Sequence, residues 1–137
     1  MSLETEVLRF FTDYGEAFRD GVRLAEFYGD CAMASTPAFV GCLNGEAEVR
    51  AALVSVAKEQ VRTGMRALVP QKVDVTSVDS IHCWAHVYWG AKFENSQDQL
   101  IEFDISYLIR RNSDRLIILL YITHQDDQKM RQELGLT

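Results

Sequence analysis

The fold is decided by three long apolar stretches in the second half of the chain: 81-IHCWAHVYWGAKFE-94, 99-QLIEFDISYLIRR-111 and 115-RLIILLYITHQ-125. Each stretch is rich in β-branched and aromatic residues and is bounded by polar turn residues, which is typical of strands. Short connections of this kind join antiparallel neighbours. Residues 72–79 add one strand before them. The sequence therefore predicts a four-strand antiparallel meander.

The first half of the chain has helical periodicity instead. Apolar residues recur at helical spacing in residues 4–18 and, most clearly, in residues 46–62. A short helix is expected between them near residues 21–28, followed by short strands at 31–36 and 39–43. Helices that precede a long meander indicate an α+β domain, with the helices packed on one face of a curved sheet.

The lengths of the loops predict the register of the meander, because a slip of one residue turns every side chain to the other face. With a four-residue loop at Asn95–Asp98, Trp89 is expected opposite Asp104 and His86 opposite Tyr107. One face, assigned to the helices, then carries Ala85, Val87, Trp89, Glu102, Asp104, Ser106, Leu108, Leu119, Tyr121 and Thr123.

The opposite face of the predicted sheet is also largely apolar, and it includes Trp84, Tyr88, Phe103, Ile105, Tyr107 and Leu120. The helices of a small domain cover only one face of a sheet. An exposed apolar patch of this size marks an interface. We therefore expect a homodimer through the outer sheet face, formed by these six residues. The alternative is that helix 46–62 covers this face.

Composition limits the function classes. The chain has 137 residues, 47% of them hydrophobic, and a net charge of -6. This length predicts one domain over 1–137, with a core at about 3–126 and a tail at 127–137 that includes a short helix. The acidic balance argues against nucleic-acid and anionic-membrane partners. Without an apolar span or a visible secretory signal, a cytoplasmic location is expected.

The three cysteines, Cys31, Cys42 and Cys83, are odd in number and widely spaced. That pattern matches neither a disulfide framework nor a metal-binding cysteine pair. Buried, reduced thiols are therefore expected.

The layout of helix, short helix, strand pair, long helix and four-strand meander resembles the nuclear-transport-factor-2-like superfamily. The sequence segments on which this resemblance rests are Asp20-Gly21, Phe27–Asp30, Thr36-Pro37 and Asn44-Gly45-Glu46. The resemblance implies a cystatin-like, cone-shaped fold, in which a curved antiparallel or mixed sheet wraps around N-terminal helices and one long helix. It also implies a deep pocket for apolar small molecules and frequent dimers. Ketosteroid isomerases, scytalone dehydratase and SnoaL-like polyketide cyclases share this fold.

The chain departs from the enzymes of that superfamily at the positions that carry their chemistry. Thr36 stands where ketosteroid isomerase-like sequences place the carboxylate base, and a threonine hydroxyl cannot replace that base near pH 7. Tyr14 lies one turn after the position of the family's first-helix tyrosine. The second acid falls near Ser106, two residues from Asp104. The pocket histidine of scytalone dehydratase falls near Ala85.

Two residues are candidates for catalysis on the predicted pocket face: Asp104 as acid or base and Tyr14 as a carbonyl-polarising group. Burial is expected to raise the pKa of Asp104, although a partner arginine or an open rim are alternatives. The expected ligand-binding residues are Tyr28, Thr36, Trp89, Ser106, Tyr121 and Thr123. The alternative for several of these is ordinary core packing.

No metal and no cofactor are predicted. His82 and His86 are four residues apart in one strand, about 13 Å, which is too far for two ligands of one zinc ion. His124 can approach them across strands, but interface packing or hydrogen bonding is the expected role there.

Three functions remain open from the sequence. The first is a dimeric domain that binds a small apolar or aromatic molecule. The second is a cofactor-independent isomerase, dehydratase or cyclase that uses Asp104. The third is an oligomerisation module whose own side chains fill the cavity. The volume of the cavity separates the third from the other two.

Overall fold

The computed structural model describes residues 2–94 and 99–125. Its elements are α1 (Leu3–Glu16), α2 (Gly21–Ala25), β1 (Tyr28–Ser35), β2 (Val40–Asn44), α3 (Glu46–Arg62), β3 (Met65–Ser77), β4 (His82–Phe93), β5 (Ile101–Asn112) and β6 (Arg115–Thr123). The predicted α+β class is confirmed. The expected tail helix and the Asn95–Asp98 loop lie outside the described residues.

The six strands form one curved sheet in the order β2-β1-β6-β5-β4-β3. All neighbours are antiparallel except β1 and β6, which are parallel, so the sheet is mixed. No helix within the described part of the chain is long and apolar enough to cross a membrane.

Two strands begin earlier than the sequence predicts. β3 starts at Met65 rather than near residue 72 and includes Pro70, which is tolerated because β3 is an edge strand with a bulge at that point. β1 starts at Tyr28, a residue that we expected at the end of a helix, because Tyr28 pairs with Ile118 of β6.

The register between β4 and β5 differs by one residue from the prediction. Trp89 lies opposite Phe103, and Tyr88 lies opposite Asp104. The pair closest to the turn is Ala91 with Ile101, so the number of residues between paired positions is odd, whereas a four-residue loop required an even number. Every side chain of β5 therefore points to the face opposite to the one expected.

Helix α1 packs directly on β3. A Cβ atom built on Gly15 would lie 2.2 Å from the main-chain oxygen of Leu68, so only glycine permits this approach. One turn earlier, the ring of Phe11 contacts the rings of Tyr107 and Trp89, with centroid distances of 4.5 and 5.9 Å. All three aromatic side chains are buried, and they form the centre of the core.

An ion pair joins the start of α1 to the end of β5. The guanidinium of Arg111 donates two hydrogen bonds to the carboxylate of Glu6, at 2.6 and 2.9 Å. These hydrogen bonds lower the pKa of Glu6 below its ordinary value. The pair connects the first helix to an inner strand of the sheet that lies 105 residues later in the sequence.

All three cysteines are free in the structure, and their reduced state stays a prediction. Their burial was predicted wrongly for two of them. Cys83 is buried, whereas Cys31 and Cys42 are exposed on the β1–β2 hairpin, whose strands lie at one edge of the sheet.

The substitution Gly15→Ala tests the packing of α1 on β3. Alanine favours the helix by about 0.5–1 kcal/mol over glycine, but overpacking against the main chain of Leu68 costs about 1–3 kcal/mol. We expect a net loss in the free energy of unfolding, measured by urea denaturation. Glu16→Ala, at the exposed next position, is the control and should cause no such loss. A more stable Gly15→Ala variant would contradict this packing.

The substitution Glu6→Gln tests the ion pair with Arg111. Because the folded-state pKa of Glu6 is lowered, its stabilising effect is complete above the unfolded-state pKa and is lost as the pH falls through the folded-state pKa. Both side chains are about a third exposed, so we expect a loss of about 0.5–1 kcal/mol at pH 7 that shrinks near pH 3.

The control for Glu6 is Glu4→Gln, because both glutamates lie in the first turn of α1, where a negative charge interacts favourably with the helix dipole. Urea denaturation at both pH values measures the difference. An equal effect of the two substitutions would show that Arg111 adds nothing.

Candidate functional site

A cavity of about 300 Å³ lies between the helices and the concave face of the sheet. Its wall is mostly apolar and aromatic. Helix α3 contributes Leu53, Val56, Glu59 and Gln60, and the rest of the wall is Tyr14, Tyr28, Thr36, Phe39, Met65, Leu68, Trp89, Phe93, Ile101, Phe103, Ile105, Tyr107, Tyr121 and Thr123. The structure therefore brings six of the predicted site residues to one cavity: Tyr14, Tyr28, Thr36, Trp89, Tyr121 and Thr123.

A pair of phenols supplies the main polar group of this cavity. The hydroxyls of Tyr14 and Tyr28 are 2.6 Å apart and hydrogen-bonded to each other. Burial raises the pKa of both tyrosines, so both stay protonated near neutral pH. One phenol donates to the other, and the accepting phenol keeps its own O–H for a further acceptor.

Gln60 adds a second polar group. Its side-chain oxygen is buried and, within the described residues, accepts no hydrogen bond. A buried acceptor without a partner costs about 1–3 kcal/mol. Such a group in the wall of a cavity is satisfied most simply by water or by a ligand that donates a hydrogen bond.

Thr36 lines the cavity, but its hydroxyl supports the turn that follows β1. The hydroxyl oxygen accepts hydrogen bonds from the main-chain nitrogens of Ala38 and Phe39, both at 3.1 Å. A side chain that closes a local turn in this way is already engaged. This contact gives a structural reason for the threonine at that position.

Asp104 and Ser106 lie on the opposite, convex face of the sheet, so the expectation that they share the cavity is wrong. The cause is the register of β5. The expected direction of the Asp104 pKa is also wrong. Burial raises the pKa of Asp104, but hydrogen bonds from Gln125 and His86 outweigh burial and lower it.

The same register change brings three outward-assigned residues into the cavity: Phe103, Ile105 and Tyr107. The sequence contained a signal for them. Residues 103–107 alternate strictly between apolar and polar side chains, which by itself predicts that Phe103, Ile105 and Tyr107 share the buried face. The contributions of Leu53, Val56 and Gln60 had no such signal, since they depend on how α3 lies over the sheet.

The convex face carries a separate polar cluster. His86 Nε2 is 2.6 Å from Asp104 Oδ2, and His124 Nε2 is 2.8 Å from Ser106 Oγ. Gln125 donates to the other carboxylate oxygen of Asp104. His82 does not belong to this cluster, because its ring is hydrogen-bonded to Asp79.

A family model described as NTF2-like protein (DUF6841) matches residues 5–126, and the chain therefore belongs to that family. No curated protein matches the chain. The family fits the fold and the cavity described above and specifies no reaction.

Solved structures show the same fold at low sequence identity. A cystatin-like domain of unknown function from Nostoc punctiforme has a TM-score of 0.70 at 17% identity, covering 100% of this chain and 89% of the other. An NTF2-like protein from Novosphingobium aromaticivorans has 0.69 at 15% identity, covering 97% and 88%. A ketosteroid isomerase-like protein from Parabacteroides distasonis has 0.65 at 12% identity, covering 91% and 89%.

Proposed function

We propose that this chain binds a small, largely apolar molecule in the cavity between the helices and the sheet. The observation that carries the proposal is the unpartnered, buried side-chain oxygen of Gln60, a residue of a wall that is otherwise mostly apolar and aromatic. Apolar walls with a few convergent polar groups are typical of small-molecule sites. A ligand with a hydrogen-bond donor would satisfy this oxygen.

The cavity also limits the size and chemistry of the ligand. About 300 Å³ is at the lower end of the range for small-molecule pockets, which favours a compact compound of about one or two rings. The hydrogen-bonded phenols of Tyr14 and Tyr28 offer an O–H to a carbonyl or hydroxyl oxygen. The volume also favours this function over an oligomerisation module whose own side chains fill the cavity.

An enzyme of the isomerase, dehydratase or cyclase kind is the second candidate. The phenol pair supports it, because a buried O–H aimed at a carbonyl stabilises negative charge on that oxygen. Such a reaction also requires an acid or a base in the cavity. Among the described wall residues the one carboxylate is Glu59, and its oxygens accept hydrogen bonds from Arg62 at 2.5 and 2.9 Å. Binding is therefore the better supported function.

Quenching of Trp89 fluorescence tests the binding function. The chain has two tryptophans, so the substitution Trp84→Phe leaves Trp89, in the cavity wall, as the reporter. The ketones 4-hydroxyacetophenone and 6-hydroxy-1-tetralone are the probes, since each combines an apolar ring with one carbonyl acceptor and one hydroxyl donor. We expect saturable quenching by at least one of them. Quenching that rises linearly with both ketones, as in random collision, would contradict the proposal.

The substitution Tyr14→Phe distinguishes two contributions to ligand affinity, a hydrogen bond from the phenol pair and the burial of apolar surface. Loss of one hydrogen bond of about 0.5–1.5 kcal/mol should weaken ketone binding by about 2–10-fold in Tyr14→Phe. The matched control is Tyr88→Phe, because Tyr88 lies on the convex face next to His86. Because the Tyr28 hydroxyl remains in Tyr14→Phe, the double variant Tyr14→Phe/Tyr28→Phe completes the test, and an affinity equal to that of the control would exclude a hydrogen bond from the phenol pair.

We also propose a homodimer through the convex face, with a corrected set of contact residues. Phe103, Ile105 and Tyr107 are removed from the expected interface because they line the cavity. The remaining centre is a row across three neighbouring strands, formed by Trp84, Leu108 and Leu120. Trp84 is 37% exposed in the single chain, which is unusual for such a large apolar side chain in an inner strand.

Light scattering at micromolar concentration tests the dimer. We expect the mass of two chains for the wild type and of one chain for Leu120→Asp, because a carboxylate in an apolar contact loses its hydration. The control is Ser55→Asp on the exposed side of α3. Circular dichroism confirms that each variant is folded. A monomeric wild type would exclude the dimer.

A further inference from the structure

We propose that His86, Asp104 and His124 form a binding site for a divalent transition-metal ion on the convex face of the sheet. The potential ligand atoms of these three side chains all lie within 4.8 Å of one another. Two of them, His86 Nε2 and Asp104 Oδ2, are already 2.6 Å apart. The site is separate from the cavity and from the binding function proposed for the cavity. It shares the convex face with the proposed dimer contact, where His86 lies two residues from Trp84 in β4.

The sheet register brings these residues together from three strands. Asp104 is in β5, between β4 and β6 in the order of the sheet. His86 in β4 pairs with Ser106 and is therefore diagonal to Asp104. His124 follows the last residue of β6, one position beyond the pair of Ile105 and Thr123. Cross-strand and diagonal neighbours lie within reach of one another on a common face.

The donor set has the chemistry of a known class of metal site. Two imidazoles and one carboxylate bind zinc, nickel, cobalt and ferrous ions and leave further positions open to water or a substrate. Metal–ligand bonds of about 2.0–2.2 Å require ligand atoms no more than about 4.4 Å apart. The candidate ligand atoms lie within 4.8 Å of one another, so binding requires a shift of the side chains, and His124 is at an exposed position where such a shift is least hindered.

Each of the three residues is oriented by a neighbour outside the site. Gln125 donates to the Asp104 oxygen that is not shared with His86. Ser106 is hydrogen-bonded to the ring of His124. The ring of Tyr88 stacks on His86, with centroids 4.6 Å apart and planes inclined by 11°. Outer partners of this kind are typical of metal ligands, because they fix ring and carboxylate orientation before the ion binds.

The same contacts also describe a simpler alternative, in which His86 and Asp104 form an ion pair that binds no metal. The two arrangements differ in the role of His124. The ion pair does not require His124, whereas a three-ligand site does. The metal affinity of a variant that lacks the His124 imidazole therefore distinguishes the two arrangements.

Isothermal titration calorimetry with Zn²⁺ and the visible absorption of bound Co²⁺ test the proposal on the full chain. The protein must carry no histidine tag and must be freed of metal by a chelator. We expect one ion per chain, saturable at micromolar concentration. Replacing an outer partner of a metal ligand weakens binding by about 10–100-fold. Loss of a ligand in His86→Ala, Asp104→Asn or His124→Ala should therefore weaken binding by about 100-fold or more.

The matched control is His82→Ala, which removes a histidine of the same strand whose ring is hydrogen-bonded to Asp79. Its affinity and Co²⁺ spectrum should equal those of the wild type. Circular dichroism confirms the fold of each variant. Absence of saturable binding, retention of wild-type affinity in His124→Ala, loss of binding in His82→Ala, or one ion per two chains would each overturn the site.

Discussion

The close approach of α1 to β3 at Gly15 is the constraint on which the rest of the structure depends. With the Cβ absent, the helix lies directly on the main chain of Leu68. The residue before this contact, Tyr14, then reaches Tyr28 at the start of β1, and Phe11 reaches Trp89 and Tyr107. The helix thereby covers one part of the concave face and leaves the space beside it, toward α3, as the cavity.

Much of the fold was predictable because its signals are local. The bounds of the last three strands follow from turn residues and β-rich composition, and the structure places them at 82–93, 101–112 and 115–123, close to the expected stretches. Such patterns depend on a few neighbouring residues. The early start of β3 was not predictable in this way, because it depends on the bulge that accommodates Pro70 next to β4.

The loop before β5 had no local signal of comparable strength for the register of that strand, and the register decided the position of two of the eight predicted site residues, Asp104 and Ser106. Trp89, Tyr121 and Thr123 were assigned to the correct face because β4 and β6 were oriented correctly. A bulge between Leu108 and Ile109 shifts β5 against β6 by one residue as well, so the register errors on the two sides of β5 cancelled at Tyr121 and Thr123. Only the side chains of β5 were assigned to the wrong face, and Asp104 and Ser106 therefore lie on the convex face. The apolar–polar alternation around Asp104 was the better guide, because it reports burial directly.

The sheet formed by the described residues also has two strands at its margins, β2 and β3, each of which has a neighbouring strand on one side only. Free margins invite pairing with another chain and growth of fibrils. β2 has only five residues. β3 carries Pro70, which has no N–H to donate, and the exposed charges of Arg66 and Lys72. These features oppose self-association through the margins of the sheet.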